Sequence, residues 1–275
     1  MTELVSTKWL AAHQNDKDLI ILDASIKKVT ASTSTENNLT IAGARFFDIK
    51  GSFSDSNSAF PNTLPPAAQF ELECQKLGIN SHSKIVVFDK LGVYSSPRAW
   101  WMFRVMGHEN VAVLDGGLPA WIKDGYPTTP QTDETYPTGN FKATFQPKLV
   151  KSYQDIVENI ETEQFNVLDA RSAGRFNGTA PEPRKHLQSG HIPKSTSLPF
   201  TEVLENGKYK SADELQAIFE NKNLSDNDLV FSCGSGITAC IIMLASEIAY
   251  KKSPYIYDGS WSEWAELQNL KVEEG

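Results

Sequence analysis

The 275-residue chain contains the same order of segments twice, and this repeat limits the folds that it can adopt. In each half, an apolar run ending in an acid is followed by a second apolar run, and then by a third that leads into a Gly- and Trp-containing turn. We therefore predict a tandem duplication of about 130 residues. The matching runs are Leu19–Asp23 with Phe165–Asp169, Ile85–Phe88 with Asp228–Phe231, and Val111–Asp115 with Pro254–Asp258.

Strand and helix patterns alternate in both halves. This alternation predicts an α/β fold with two tandem domains, each a mostly parallel sheet flanked by helices. Residues 128–149 are rich in Pro, Thr and Gln and predict a linker between a first domain, 1–127, and a second, 150–275. The polar stretches 31–40 and 50–64 predict loops.

Composition argues against several classes of protein. A net charge of −8 disfavours a nucleic-acid partner, since binding phosphates needs a basic face. We expect no membrane partner and no signal peptide, because long apolar stretches and a basic, apolar N-terminus are both missing. Three cysteines without zinc-ligand spacing predict no disulfide framework, no metal and no cofactor, and they favour a reduced, cytoplasmic location.

The run Asp228–Phe231 ends just before Cys233, and Ile241–Ala245 begins a predicted helix soon after it. A cysteine on such a strand-to-helix turn is close to a helix N-terminus, whose partial positive charge favours the thiolate. Gly234 and Gly236 allow the backbone to curl so that successive N–H groups point inward. We therefore predict that Cys233 is a nucleophile in a backbone cradle.

These motifs together resemble the rhodanese superfamily, and most of all its 3-mercaptopyruvate sulfurtransferase branch. The resemblance covers nearly the whole chain and implies two rhodanese-like domains, the first lacking the catalytic cysteine. The motifs that carry it, in the family's order, are Ser96–Met102, Asp115–Gly117, Asp169–Arg171, Gly190–Pro193 and Cys233–Cys240.

The resemblance also implies a reaction. Cys233 would take sulfane sulfur from 3-mercaptopyruvate, an anionic small molecule, hold it as a persulfide and release pyruvate. The acceptor would be a thiol, such as thioredoxin or glutathione, or cyanide. Arg175 and Arg184 fall on the family's donor-binding positions, and arginine forks suit carboxylates. Ser235 would relay a proton, and the turn around the sulfur is completed by Gly234, Gly236, Ile237 and Thr238.

Two features of the sequence bear on this reading. Thiosulfate-using relatives place basic residues directly after the cysteine, where this chain has Gly234 and Ser235, so a carbon-bearing donor is favoured. Lys50 and Asn62 stand where the branch often has an acid and a histidine that support the serine. Neither can play that part, so water or the donor's own thiol proton is an alternative to the relay.

Other functions are weighed against this one. A thiosulfate sulfurtransferase and a non-catalytic rhodanese-like binding or regulatory module both stay open. A thiol phosphatase needs Cys-x5-Arg, and Ala239 stands at that place. Structural roles are expected for four further residues: Cys240 and Cys74 as core, with an exposed redox role as the alternative for Cys74, Arg171 as an ion-pair partner and His191 as a turn anchor.

Overall fold

The structure is a computed structural model that describes residues 1–26, 38–132, 134–250, 255–267 and 270–275. Three sequence predictions fall partly outside the described residues. These are the loop over residues 31–40, the linker at Asp133 and the start of the last strand at Pro254.

The first half contains a five-stranded parallel sheet in the order β1-β6-β5-β2-β4. Its core strands are mainly apolar, as is typical of parallel strands covered on both faces, and polar residues stand at the end of β2 and the start of β5. The strands are β1 (Leu4–Val5), β2 (Leu19–Asp23), β3 (Leu39–Ile41), β4 (Arg45–Phe46), β5 (Lys84–Phe88), β6 (Val111–Leu114) and β7 (Thr128–Pro130). The helices are α1 (Thr7–His13), α2 (Ala67–Lys76), α3 (Ser96–Val105) and α4 (Gly117–Lys123).

The second half repeats this sheet in the order β8-β14-β13-β9-β10, again with parallel pairs. Short 3-10 helices cover Pro147–Leu149 and Phe200–Val203. The strands are β8 (Val150–Lys151), β9 (Phe165–Asp169), β10 (Thr196–Ser197), β11 (Leu204–Glu205), β12 (Lys208–Tyr209), β13 (Asp228–Ser232) and β14 (Tyr255–Tyr257). The helices are α5 (Tyr153–Thr162), α6 (Ala173–Phe176), α7 (Ala212–Glu220), α8 (Ala239–Tyr250) and α9 (Ser260–Trp264).

Local sequence explains where several helices begin. The Ser6 hydroxyl accepts a hydrogen bond from the Trp9 N–H at the start of α1. Capping boxes pair Ser152 with Asp155 and Ser211 with Glu214, so both orphan donors at those helix starts are satisfied. Helices α3 and α8 pack on the sheets of their own halves. The predicted core tryptophans are buried, namely Trp100, Trp101, Trp121, Trp261 and Trp264.

The duplication is confirmed by the equivalent order of the two sheets. The main chain after the central strands also matches: the Ala24 N–H donates to Phe88 O, as Ala170 does to Ser232 O, both at 2.9 Å. Because Phe88 and Ser232 are equivalent, the next residue in each half is also equivalent. Asp89 therefore occupies the place of Cys233.

The chain divides into two compact units, and the division is not a single cut in the sequence. Within the described residues, one unit comprises Met1–Ser56, Leu64–Gln146 and Asn206–Lys208. The other comprises Asn57–Thr63, Pro147–Glu205 and Tyr209–Gly275. Asn62 therefore belongs to the same unit as Cys233.

The predicted linker makes regular contacts in its described part. Its start forms β7, which pairs antiparallel with β3. Phe141 is fully buried and its N–H donates to Ile79 O at 3.1 Å, while the Thr144 N–H donates to Met106 O at 2.8 Å. These parts of the predicted linker pack within the first unit, since their backbone groups form hydrogen bonds with residues of that unit. The limits 1–127, 128–149 and 150–275 stay a prediction. None of the helices in the described part of the chain is long and apolar enough to cross a membrane.

Candidate active site

The turn after β13 carries Cys233, which is 1% exposed. Its backbone carbonyl accepts the Trp261 N–H at 2.9 Å, so the turn is fixed to the start of α9. The loop Gly234–Thr238 then leads into α8, as predicted, and Cys240 in the first turn of α8 donates its thiol to Gly236 O at 3.3 Å.

A serine outside the turn organises its backbone. The Ser260 hydroxyl accepts the N–H groups of Cys233 and Gly236, both at 3.2 Å, and donates to Tyr257 O at 2.9 Å. Ser260 has a φ of 52°, in the left-handed region that costs a non-glycine residue free energy. We infer that this conformation is retained because it places the hydroxyl between the two N–H groups.

The N–H groups of Cys233 and Gly236 are therefore held by a side chain of the protein. The backbone cradle predicted around the sulfur stays a prediction. Gly236 is needed for its φ of 74°. The roles predicted for Gly234, Ile237 and Thr238 towards the sulfur donor stay predictions.

Gly234 is needed for a different reason, which is the close approach of Arg175. A Cβ atom at this position would lie 3.0 Å from Nη2 of Arg175, closer than most side chains tolerate. The absence of a side chain at Gly234 therefore allows the guanidinium to lie directly beside the cysteine turn.

Glu182 holds this guanidinium in place. Its carboxylate accepts from Nε of Arg175 at 3.0 Å and from Nη2 at 2.5 Å. It also accepts from Nη1 of Arg171 at 3.0 Å. Arg171 is buried, and it binds Asp169 at 2.7 Å and Gly190 O at 2.8 Å. Burial alone would lower the pKa of Arg171, but attraction to Asp169 and Glu182 raises it.

Arg184 approaches the same turn through Ser262. Its Nη1 donates to the Ser262 hydroxyl at 3.1 Å, and that hydroxyl donates to Gly234 O at 2.5 Å. Burial and repulsion from Arg175 lower the pKa of Arg184, against attraction to Cys233 and to nearby carboxylates. The structure therefore places Arg175 and Arg184 beside the turn that carries Cys233, and their roles towards a donor stay predictions.

Ser235 accepts a hydrogen bond from Nδ2 of Asn62 at 2.8 Å. Asn62, which the sequence analysis aligned with a histidine often present in the branch, thus contacts the serine. An amide does not exchange a proton near neutral pH, so this contact orients the serine hydroxyl without relaying a proton.

The structural roles predicted for other residues are confirmed. Arg171 forms the ion pair with Asp169, and a hydrogen bond of 2.9 Å between Nδ1 of His191 and Phe176 O anchors the His191 turn to the end of α6. Cys240 and Cys74 are fully buried, so an exposed redox role for Cys74 is wrong, and burial raises the pKa of its thiol well above the usual range. The three cysteines are free thiols.

Sequence reasoning missed Glu182, Ser260 and Ser262. Glu182 lies between Arg175 and Arg184 in the sequence. An acid between two cations that are predicted to bind an anion could have been predicted to pair with one of them. The serines follow β14 and had been assigned only to a turn. Among the residues that the structure describes, no cluster of His, Cys, Asp or Glu could hold a metal ion.

The chain is similar to known sulfurtransferases in sequence and in fold. The chain is 40% identical over 272 residues to 3-mercaptopyruvate sulfurtransferase of Mus musculus, covering 95% of this chain and 91% of that protein. It is 41% identical over 272 residues to thiosulfate sulfurtransferase of Rattus norvegicus, with the same coverage. The crystal structure of SseA from Escherichia coli, a 3-mercaptopyruvate sulfotransferase, is similar with a TM-score of 0.83 and 36% identity, covering 95% of this chain and 99% of that one.

The sequence pattern of the Rhodanese-like domain matches residues 6–124 and again residues 152–267. These two matches fall on the two equivalent parallel sheets. The chain belongs to the rhodanese family and contains two rhodanese-like domains in tandem.

Proposed function

We propose that the protein is a sulfurtransferase that moves sulfane sulfur from 3-mercaptopyruvate to a thiol acceptor or to cyanide, through a persulfide on Cys233. Family membership supports sulfur transfer, and similarity to enzymes named for 3-mercaptopyruvate supports the donor. The observation that carries the choice of donor is the pair of guanidinium groups beside an uncharged cysteine turn.

This arrangement suits a donor with a carboxylate and a keto oxygen. Nη1 of Arg175, which the ion pair with Glu182 leaves for a ligand, and the guanidinium of Arg184 supply hydrogen-bond donors from outside the turn. Guanidinium groups bind carboxylates well because their donors match the spacing of the oxygens. The donor's sulfur can then lie at Cys233 while its carboxylate lies at the arginines, which is the orientation that transfer requires.

The reaction balances without a cofactor. The Cys233 thiolate attacks the donor sulfur, a new S–S bond forms and the C–S bond breaks. The electron pair of the C–S bond stays on carbon, which leaves as the enolate of pyruvate. The donor's thiol loses one proton, and the enolate takes up one proton to become pyruvate. Since Asn62 cannot relay it, the donor's own proton or water supplies it.

The second half of the cycle returns the cysteine. A thiolate acceptor attacks the outer persulfide sulfur, becomes a persulfide itself and releases the Cys233 thiolate. Thioredoxin and glutathione present suitable thiols, and cyanide would give thiocyanate. A cytoplasmic location is part of this proposal, because reducing conditions keep such acceptors as thiols.

Incubation with 3-mercaptopyruvate followed by intact mass measurement tests the proposal. We expect a gain of about 32 Da, the mass of one sulfur atom added to a nucleophilic cysteine, together with release of pyruvate. The Cys233→Ser variant should show neither. If neither 3-mercaptopyruvate nor thiosulfate gives an adduct on the wild-type protein, the proposal is wrong and a binding module is favoured.

Arg175→Ala and Arg184→Ala test the donor site. Each should raise KM for 3-mercaptopyruvate about 100-fold, since one charge-assisted contact to the carboxylate contributes about 2–3 kcal/mol. Lys148→Ala, which removes an exposed cation of the same half, is the matched control and should leave KM unchanged. An unchanged KM in either arginine variant would remove that residue from the site.

Thiosulfate is the second candidate donor. The identity to the thiosulfate sulfurtransferase of Rattus norvegicus is 41%, so overall sequence similarity supports thiosulfate as well as it supports 3-mercaptopyruvate. Comparing kcat/KM for the two donors decides between them, and we expect 3-mercaptopyruvate to be preferred.

A further inference from the structure

The ionic contacts beside Cys233 form one network with nearly balanced charge. Glu182 bridges Arg175 and Arg171, with shortest contacts of 2.5 and 3.0 Å, and Asp169 binds Arg171 at 2.7 Å. Two carboxylates therefore face two guanidinium groups. Arg171, Asp169 and Glu182 have side chains at most 2% exposed, so water screens these charges little.

Arg184 differs from these two arginines. Among the described residues it forms its hydrogen bond with the neutral Ser262 hydroxyl and makes no ion pair. Of the three guanidinium groups, Arg184 is the one whose charge is not matched by a contacting carboxylate. Apart from the Cys233 thiolate, which every donor meets alike, the arginines and carboxylates therefore offer a donor two guanidinium groups but only about one net positive charge.

We propose that Glu182 makes the site selective for a singly charged sulfur donor over a doubly charged one. It cancels the charge of Arg175 while keeping that guanidinium in place as a hydrogen-bond donor. The inference rests on the proposed function, because it concerns the same donor site. At neutral pH the carboxylate of 3-mercaptopyruvate carries one negative charge, and thiosulfate carries two.

The physical reason lies in the cost of a second, uncompensated charge. A monoanion is matched by the charge of Arg184 and can still use the directional donors of Arg175. A dianion must leave water for a site that compensates only one of its charges, and an unpaired charge is costly where solvent is excluded. Both donors can thus form hydrogen bonds with the arginines, but the net charge of the site favours binding of the monoanion.

Glu182→Gln is the variant that tests the selection. The amide keeps the length of the side chain and can still accept hydrogen bonds from Arg175, but it removes one negative charge. The site then gains one net positive charge. We expect the ratio of kcat/KM for thiosulfate to that for 3-mercaptopyruvate to rise about tenfold, with a smaller rise at high salt.

Two matched variants separate charge from position. Glu182→Asp keeps the charge on a shorter side chain, so kcat/KM should fall for both donors while their ratio stays within about threefold. Glu158→Gln makes the same charge change at an exposed position of α5 and should alter neither constant. Equal loss for both donors in Glu182→Gln, with an unchanged ratio, would overturn the inference and leave Glu182 a structural residue.

A measurement on the wild-type protein keeps the inference testable if the variants do not fold. Pyruvate, a monoanion, and sulfate, a dianion, should both compete with the donor, with pyruvate the stronger inhibitor. Stronger inhibition by sulfate would contradict the inference. A wild-type protein that takes sulfur from neither donor would instead refute the proposed function itself, so the two failures are distinguishable.

Discussion

The turns that follow the central strands of the two sheets occupy equivalent places but carry different side chains, a carboxylate in the first and a thiol in the second. In the first unit, Asp89 stands where Cys233 stands in the second, and the backbone carbonyls of both accept an N–H from the following Gly-rich turn, from Leu118 at 3.0 Å and Trp261 at 2.9 Å. The Asp89 carboxylate accepts the N–H groups of Leu91, Tyr94, Ser95 and Ser96 and the Ser96 hydroxyl, at 2.7–3.0 Å.

The first turn is thus a backbone cradle that is permanently filled by its own carboxylate. The second turn has a cysteine at the same place, and in the proposed reaction its sulfur accepts a sulfur atom and passes it on. This difference teaches that equivalent turns at one sheet edge can have different roles: the side chain after the strand fills the turn in the first half and carries the proposed chemistry in the second.

The largest expected effect concerns the second turn. Cys233→Ser should lower the rate of pyruvate release at least about 10⁴-fold, because a hydroxyl is not ionised at neutral pH and cannot form a persulfide. Single-turnover assays with 3-mercaptopyruvate measure this. Residual activity within about 100-fold of the wild type would mean that another residue accepts the sulfur.

Asp89→Ala tests the first turn. Removing the carboxylate leaves buried N–H donors without partners, so the free energy of unfolding should fall by about 3–5 kcal/mol. Urea denaturation followed by tryptophan fluorescence measures this, with Asp16→Ala at an exposed position as the control. The folded variant should still gain sulfur on Cys233, and loss of that adduct would mean that the two turns do not have separate roles.

Gly117 and Ser260 are equivalent residues with nearly the same backbone, at φ values of 53° and 52°. A Cβ atom at Gly117 would overlap the carbonyl oxygens of Asp89 and Gly92, so Gly117→Ala should lower the free energy of unfolding by about 2 kcal/mol. An unchanged midpoint in thermal unfolding would contradict this.

The reverse exchange, Ser260→Gly, should affect activity more than stability. Glycine relieves the strain of the positive φ, which offsets much of the loss of the three hydrogen bonds of the Ser260 hydroxyl. The turn then loses its organising hydroxyl, and we expect kcat to fall about tenfold with an unfolding free energy within about 1 kcal/mol of the wild type. Unchanged kcat would show that Ser260 has no part in positioning Cys233.

The smallest effect is expected at Asn62. If the donor's own proton or water completes the pyruvate, Asn62→Ala should lower kcat less than about threefold, because only the orientation of the Ser235 hydroxyl is lost. Lys222→Ala, at a surface ion pair, provides a control for the assay. A loss of 100-fold or more would restore the proton relay through Ser235.

Much of the fold could be predicted from the sequence because the signals are local or repeated. The apolar runs gave β2, β5, β9 and β13 within a residue of their ends, and the repeat predicted equivalent sheets. The pairing of β3 with β7 was missed, since it joins segments about 90 residues apart that carry no strong pattern. The packing of residues 134–146 on the first unit was missed for the same reason, because their partners are far away in the sequence.

The site was predicted in part for a related reason. Cys233, Gly236 and the two arginines stand in recognisable motifs, whereas Ser260 acts on an N–H group 27 residues away. No sequence pattern predicts which backbone N–H group will donate a hydrogen bond to a distant hydroxyl. The equivalence of Asp89 to Cys233 could be recognised only from the register of the strands in the structure, because the two turns differ in length.

Mapping the added sulfur to a peptide tests the central claim most directly. After incubation with 3-mercaptopyruvate, alkylation and proteolysis, we expect the additional mass of about 32 Da on the peptide that contains Cys233. The peptides of Cys74 and Cys240 should be unchanged. Sulfur on either of those two cysteines, with Cys233 unmodified, would contradict the claim that the turn after β13 is the chemical one.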